Sequence, residues 1–290
     1  MRKVFNLLAI VLLTSCNNGG QSSGEKIITV SIAPFKYFVK AIGGNDFTVN
    51  IMVPPGSDPH IYEPYPRQIV NLRKSVAYIS NGYIGFENAW LGRFYETNGK
   101  MRILSLSRNI EPLGSEHKNL SGHSEGYDPH YWTSPRCAMM MSASVRDLLT
   151  GLNPDRREVY NETYRSLIQK IEELDKKADS LFSEVNRKAF MIYHPNLAYL
   201  ARDYGLEEIP LEFEGKEPPP SRVKELIDLA RRDRITTLFV QREYDTRNAG
   251  VIAAEIGAKI MIIDPLSENW YDSLGEIIVD LYNSLAEGSK

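Results

Sequence analysis

Three of the five histidines in this chain stand where a metal ligand is expected. His60 and His130 each end the tripeptide Asp-Pro-His, in which Asp-Pro starts a turn and the aspartate is predicted to form it. His194 directly precedes Pro195, and a residue before proline is held extended, so its side chain continues off the end of a predicted strand. Imidazole nitrogen is a preferred ligand of Zn²⁺. The three residues therefore predict a nitrogen-rich metal site.

A carboxylate completes the predicted set of ligands. Asp264 follows the predicted strand Lys259–Ile263 and precedes Pro265, which repeats the arrangement of His194. Ligands of open α/β sheets bind beyond the carboxyl ends of strands. Three imidazoles and one carboxylate fill the tetrahedral shell of Zn²⁺, whereas Mg²⁺ and Ca²⁺ prefer oxygen ligands. We therefore expect zinc as the bound ion.

Three further polar residues are weaker candidates. Glu63, three residues after His60, could accept the proton of the second ring nitrogen of that histidine; a surface role is the alternative. His117 and His123 lie in a polar stretch, residues 114–126, that is predicted to be a solvated loop. We expect this loop to collect metal weakly at most.

Short β-branched runs alternate with helical patterns, which predicts βαβ units and mostly parallel sheets. The chain is predicted to form two α/β lobes, residues 26–150 and 189–290, with the metal site in the cleft between them. Strands are predicted at Ile27–Ile32, Phe47–Val53, Val76–Ser80, Met101–Leu106, Ala189–Tyr193, Ile209–Phe213, Thr237–Gln241 and Lys259–Ile263. Helices are predicted at Pro34–Ile42, Pro66–Lys74, Glu87–Glu96, Arg136–Leu149, Asn196–Tyr204, Ser221–Arg232, Asn248–Ile256 and Tyr271–Ala286.

One long helix is predicted to connect the two lobes. Apolar residues between Tyr160 and Val185 are spaced alternately four and three apart, which indicates a helix over residues 154–188. A coiled coil is the alternative, but the α/β patterns on either side favour a single helix that crosses both lobes.

The composition excludes several classes of protein. Hydrophobic residues make up 42% of the chain and charged residues 24%, which is typical of a folded domain. The net charge of −3 leaves no strongly basic surface, so nucleic-acid binding is not expected. The two cysteines, Cys16 and Cys137, exclude a disulfide framework and a zinc site built from four thiolates.

The N-terminus predicts a sorting signal. Two basic residues precede an apolar run that is shorter than the roughly 20 residues of a membrane-spanning helix. Leu13–Cys16 resembles a bacterial lipobox, so residues 1–15 are predicted to be a signal peptide and residues 16–25 a lipidated cysteine with a flexible tether. An ordinary secretory peptide is the alternative. We expect a membrane-anchored lipoprotein in the periplasm or on the outer cell surface.

Four segments together resemble the zinc- and manganese-binding solute-binding proteins of ABC importers. They are Gly56–Pro64, Asp128–Pro135, His194–Leu206 and Ala258–Leu266. The resemblance implies two lobes joined by one helix, with His60, His130, His194 and Asp264 as ligands. It also implies a receptor, not an enzyme, that captures metal and delivers it to an ABC permease and its ATPase. We expect a monomer.

The resemblance leaves the fourth ligand and the metal open. Relatives carry Asp, Glu or water at the position of Asp264, so water is the alternative there. A third histidine where manganese-binding relatives often have Glu favours Zn²⁺, with Mn²⁺ as the alternative. Two other functions share such a site: a zinc hydrolase with an open coordination position and a metal-binding adhesin. A receptor for siderophores or corrinoids shares the plan of two lobes and one helix, but it would not use the histidines.

Overall fold

The structure is a computed structural model that describes residues 26–114, 126–212 and 218–287. The predicted signal peptide, Cys16 and the tether lie outside the described residues, as do His117 and His123. The described chain forms two four-stranded parallel sheets with connecting helices, which confirms the predicted fold class. None of the helices in these described ranges is long and apolar enough to cross a membrane.

The first lobe contains a parallel sheet in the order β2-β1-β3-β4. Its strands are β1 (Ile27–Val30), β2 (Thr48–Ile51), β3 (Ser75–Ser80) and β4 (Arg102–Ser105). Its helices are α1 (Ala33–Gly43), α2 (Pro66–Leu72), α3 (Gly85–Thr97) and α4 (Pro135–Leu152). Helix α1 begins with Pro34 in its first turn, where a missing N–H is tolerated, and ends at Gly44, whose φ is +56°.

The second lobe repeats this topology, with the strand order β6-β5-β7-β8. Its strands are β5 (Ala189–Ile192), β6 (Glu207–Pro210), β7 (Thr237–Gln241) and β8 (Lys259–Ile263). Helix α5 lies between the lobes in the chain, and the helices that follow it are α6 (Ala198–Tyr204), α7 (Pro220–Arg232), α8 (Thr246–Ile256) and α9 (Trp270–Glu287). Because all strands of a lobe are parallel, their carboxyl ends share one edge, where ligands bind.

Helix α5 (Arg157–Ser183) has 27 residues and is shorter at both ends than the predicted 154–188. A 3₁₀ turn, Pro154–Arg156, precedes it. After the helix the chain turns so that the Arg187 guanidinium donates a hydrogen bond of 2.9 Å to the carbonyl of Ser284 in α9. The buried face of α5 packs against α4 and α9, as expected for a helix that crosses both lobes.

Most other helix and strand boundaries differ from the prediction by one to three residues, and two of these differences have a local cause. Helix α7 begins at Pro220, one residue before the predicted Ser221, with Pro219 as its N-cap. Proline there presets the helical φ and lacks an N–H that would need a partner. Strand β6 begins at Glu207, two residues before the predicted Ile209, because its pairing with β5 starts there.

One hydrophobic core extends through both lobes, and a second, smaller core is confined to the second lobe. Trp270, at the start of α9, contacts the rings of Tyr37 and Phe38 in α1, with centroids 5.7 Å and 4.9 Å apart. The last helix therefore crosses back to the first lobe. The lobes are joined by α9 as well as by α5.

Candidate metal centre

His60 lies in the surface segment that follows β2. Its backbone N–H donates to Oδ1 of Asp58 over 2.8 Å, so this aspartate forms the predicted turn. The next residue, Ile61, is 80% exposed, whereas the His60 ring is partly buried. That ring lies with its centroid 5.2 Å from the ring of His130 and 5.0 Å from the ring of His194.

His130 is buried at the boundary between the lobes. Oδ1 of Asp128 accepts the backbone N–H of His130 and also lies 2.8 Å from its ring nitrogen Nδ1. The peptide groups around this histidine are bonded from both lobes. The Asn81 side chain of the first lobe donates to the carbonyl of Pro129, and the Tyr199 hydroxyl of the second lobe donates to the carbonyl of Asp128, each over 2.9 Å.

His194 is buried at the carboxyl end of β5. Its Nδ1 lies 2.6 Å from Oε2 of Glu212, a residue that follows β6. The side chain of Gln241, the last residue of β7, accepts the backbone N–H of His194 and donates to its carbonyl. The ring of Tyr244 stacks on the His194 ring with centroids 5.1 Å apart. Three neighbouring strand ends therefore fix this histidine.

The three histidines bring one ligand nitrogen each to a common point. These nitrogens all lie within 4.8 Å of one another, and Nε2 of His60 is 3.2 Å from Nε2 of His130. Two ligands of a tetrahedral zinc ion with Zn–N bonds of about 2.0–2.1 Å stand roughly 3.3 Å apart. The observed separation fits such an ion. Two of these nitrogens come from the first lobe and one from the second.

Carboxylates orient two of the three rings. Asp128 and Glu212 face Nδ1 of His130 and His194, and an ionised carboxylate can only accept a hydrogen bond. Nδ1 of each ring therefore carries the proton, which leaves the lone pair of Nε2 for a metal. The two negative charges also offset much of the charge of a divalent cation.

His60 is also held in the neutral form that a metal needs. Burial first, and the nearby charge of His194 second, lower its pKa to about 3. A histidine with such a pKa is neutral near pH 7, so binding a metal through its unprotonated ring nitrogen does not require a proton to leave.

The structure does not bring the other two predicted residues into this cluster. The Asp264 carboxylate is partly buried at the end of β8, and its Oδ2 lies 3.0 Å from a guanidinium nitrogen of Arg242. Glu63 is exposed at the surface. Within the described residues, the group of close metal-ligating atoms contains the three histidines only.

Sequence reasoning missed several residues that build the site. It treated Asp128 as a turn residue and did not single out Glu212, Gln241 or Tyr244. The strand-end rule that placed His194 and Asp264 points to the ends of β6 and β7 as well. The predicted strands end at Phe213 and Gln241, however, so Glu212 and Gln241 are counted as strand residues in the prediction.

The sequence motifs also do not single out Glu243, which lies in the same stretch after β7. It is a largely buried carboxyl whose pKa is raised to about 7, first by burial and then by the charges of Asp264 and Asp58. The Glu243 carboxyl therefore lies close enough to Asp264 and Asp58 to interact with their charges.

A family model supplies the deciding comparison. The model, described as the periplasmic component A of a zinc-uptake complex, ZnuA, matches residues 28–287. The chain belongs to this family. The resemblance found in the sequence motifs is thereby confirmed. The family is one of uptake proteins and not of enzymes, which removes the zinc hydrolase from the alternatives.

Individual relatives agree with the family model. The chain is 26% identical over 284 residues to the zinc-binding lipoprotein AdcA of Streptococcus pneumoniae strain R6, covering 92% of this chain and 56% of AdcA. It is 25% identical over 274 residues to the high-affinity zinc uptake system protein ZnuA of Bacillus subtilis, covering 90% of this chain and 85% of that protein. The chain thus spans little more than half the length of AdcA.

A solved structure matches the whole described fold. The crystal structure of a ZnuA deletion mutant with zinc bound has a TM-score of 0.83 and 34% sequence identity, covering 90% of this chain and 98% of that chain.

Proposed function

We propose that this chain is the extracytoplasmic zinc receptor of an ABC importer, which captures one Zn²⁺ between its lobes and delivers it to a membrane permease and its ATPase. The observation that carries the proposal is the convergence of three imidazole nitrogens from two lobes. Nitrogen-rich ligation favours zinc over magnesium, calcium and manganese. The names of the relatives AdcA and ZnuA support the same ion.

We propose His60, His130 and His194 as three ligands and Asp264 as the fourth. Binding through Asp264 requires its carboxylate to exchange the ion pair with Arg242, whose side chain is 69% exposed, for a bond to the metal. Because an exposed ion pair contributes little free energy, this exchange is feasible. Water is the alternative fourth ligand, since a tetrahedral zinc ion accepts it readily.

We further propose that the mature chain is a monomer anchored by a lipid on Cys16, outside the cytoplasm. The lipobox-like sequence before Cys16 supports the anchor. The word lipoprotein in the name of the relative AdcA supports it as well. An anchored receptor stays close to its permease without a tight complex between the two proteins.

The direct test is zinc titration of the purified chain against a competing chelator, combined with uptake by cells that lack the gene. One tight zinc equivalent is expected, and His194→Ala is expected to abolish both tight binding and rescue of uptake. Asp264→Ala is expected to weaken binding less than the histidine change. Tight binding that survives His194→Ala, or uptake that this variant rescues fully, would contradict the proposal.

A further inference from the structure

The His60 segment, residues 53–65, is the part of the site that faces solvent. It begins beyond Met52, whose backbone N–H donates to the carbonyl of Val30 over 2.8 Å and so belongs to the edge of the sheet. It ends at Tyr65, the N-cap of helix α2. The ligand His60 lies near the middle of this stretch. The His60 ring can therefore stay in place only if other residues hold this segment by direct contacts.

One side chain of α2 makes hydrogen bonds on both sides of His60. Nε2 of Gln68 donates to the carbonyl of Met52, before the histidine. Oε1 of Gln68 accepts the Tyr62 hydroxyl and the Tyr65 backbone N–H, each over 2.7 Å, after the histidine. A single amide thus closes the loop that carries the ligand and joins it to the end of β2.

The opposite side of the loop rests on helix α3. A Cβ atom placed on Gly85, the first residue of this helix, would lie 3.0 Å from the backbone carbonyl oxygen of His60. The His60 backbone therefore lies directly on the chain at Gly85. The amide of Gln68 holds the loop against this surface.

We propose that Gln68 is the positioning residue of His60, and that its three hydrogen bonds set how long a bound zinc ion stays in the site. This inference rests on the proposed zinc-binding function. Gln68 does not touch the metal; it keeps the His60 ring at the point where the other two imidazoles converge. A looser loop lets His60 leave the ion while His130 and His194 remain in place, which opens a route for the ion to depart.

The test compares zinc dissociation rates of the full mature chain after mixing with excess chelator. Gln68→Leu has a similar shape and removes all three hydrogen bonds, and we expect it to raise the dissociation rate about 10-fold or more, in the range known for outer-shell partners of metal ligands. Gln68→Glu keeps both acceptor contacts and is expected to fall between this variant and the wild type. A Gln68→Glu rate equal to that of Gln68→Leu would contradict the role given to Oε1.

Two control variants separate this effect from general destabilisation. Asn71→Leu changes an exposed residue of the same helix, and Gln169→Leu makes the same chemical change on the exposed face of α5. Neither is expected to change the dissociation rate. A Gln68→Leu variant with a lower melting temperature of the metal-free protein but a wild-type dissociation rate would overturn the inference.

A double-variant cycle tests whether Gln68 acts through His60. In a His60→Ala background, Gln68→Leu is expected to cause no further acceleration, because the ligand that it positions is gone. The same acceleration in both backgrounds would overturn the inference. If the wild-type chain itself fails to bind zinc tightly, the proposed function fails instead, so the two failures are distinguishable.

Discussion

The same tripeptide, Asp-Pro-His, occurs twice in this chain and is held in two different ways. In both copies the aspartate accepts the backbone N–H of the histidine over 2.8 Å. Asp128 also lies 2.8 Å from the ring nitrogen Nδ1 of its histidine. The segment around His130 is buried, whereas the segment around His60 lies at the surface next to an Ile61 that is 80% exposed.

The residues after His130 also join the lobes. The indole N–H of Trp132 donates to the carbonyl of Pro265, and the indole N–H of Trp270 donates to the carbonyl of Trp132, over 2.9 Å and 2.7 Å. The hydroxyl of Thr133 donates to the carbonyl of Asn196 over 3.0 Å. Opening the lobes would break these buried hydrogen bonds together. The two identical Asp-Pro-His turns therefore differ in how firmly they hold their histidines. The histidine is held firmly only where the rest of the fold packs around the turn.

Removing either histidine is expected to have the largest effect on zinc. His60→Ala and His130→Ala should each lower the zinc affinity more than about 100-fold. About 100-fold is the upper limit for losing a residue that only orients a ligand, whereas each of these substitutions removes a proposed ligand itself. Only His130→Ala should also destabilise the metal-free protein, by about 1–3 kcal/mol, because the buried Asp128 loses a partner. Zinc competition and denaturant unfolding measure the two quantities. Equal loss of stability in both variants would remove the distinction between the segments.

The two aspartates offer a matched pair of substitutions. Asp128→Asn is expected to weaken zinc binding about 10–100-fold, since a neutral amide no longer makes a charge-assisted bond to the His130 ring. Asp58→Asn keeps an oxygen that can accept the backbone N–H of His60, so its effect should be a few-fold at most. Zinc affinities measured under identical conditions check this order, and a larger loss in Asp58→Asn would reverse the comparison.

A methyl group at Gly85 is expected to disturb the His60 segment alone. In Gly85→Ala the new Cβ would meet the His60 carbonyl oxygen at 3.0 Å, so the backbone must move by a few tenths of an ångström. We expect a several-fold faster zinc dissociation with little change in the melting temperature. Gly92→Ala, in the same helix and with open space around the added Cβ, is the control.

The support of His130 from the first lobe is expected to respond to pH. The buried Glu87 carboxylate accepts the backbone N–H of Asn81, and burial raises the pKa of Glu87 from 4.5 to about 7. Between these values the native state holds a proton that the unfolded state has lost, so the free energy of unfolding must fall as the pH rises.

Unfolding measurements on the metal-free protein from pH 4.5 to 7.5 check this prediction. Glu87→Gln cannot lose a proton, so the stability of the wild type relative to this variant should decrease across the same window. A constant difference between wild type and variant would show that Glu87 does not titrate there.

The sequence predicts the fold class, and three histidines that the structure brings together, because the signals are local. Alternating strand and helix patterns, and proline next to a strand end, are properties of a few neighbouring residues. The pairing of Asp264 with Arg242 and of Glu212 with His194 depends on which strand ends meet in space, which spacing alone does not reveal. Likewise, nothing in the two Asp-Pro-His copies shows which histidine is buried and which is only partly buried.

The most direct test of the account is X-ray absorption at the zinc K-edge of the mature chain loaded with one equivalent of zinc. The account predicts a first shell with three imidazole nitrogens at about 2.0–2.1 Å and one oxygen from Asp264 or water. In His60→Ala the same measurement should show two imidazoles. A shell dominated by oxygen, or three imidazoles that persist in His60→Ala, would contradict a zinc site built from His60, His130 and His194.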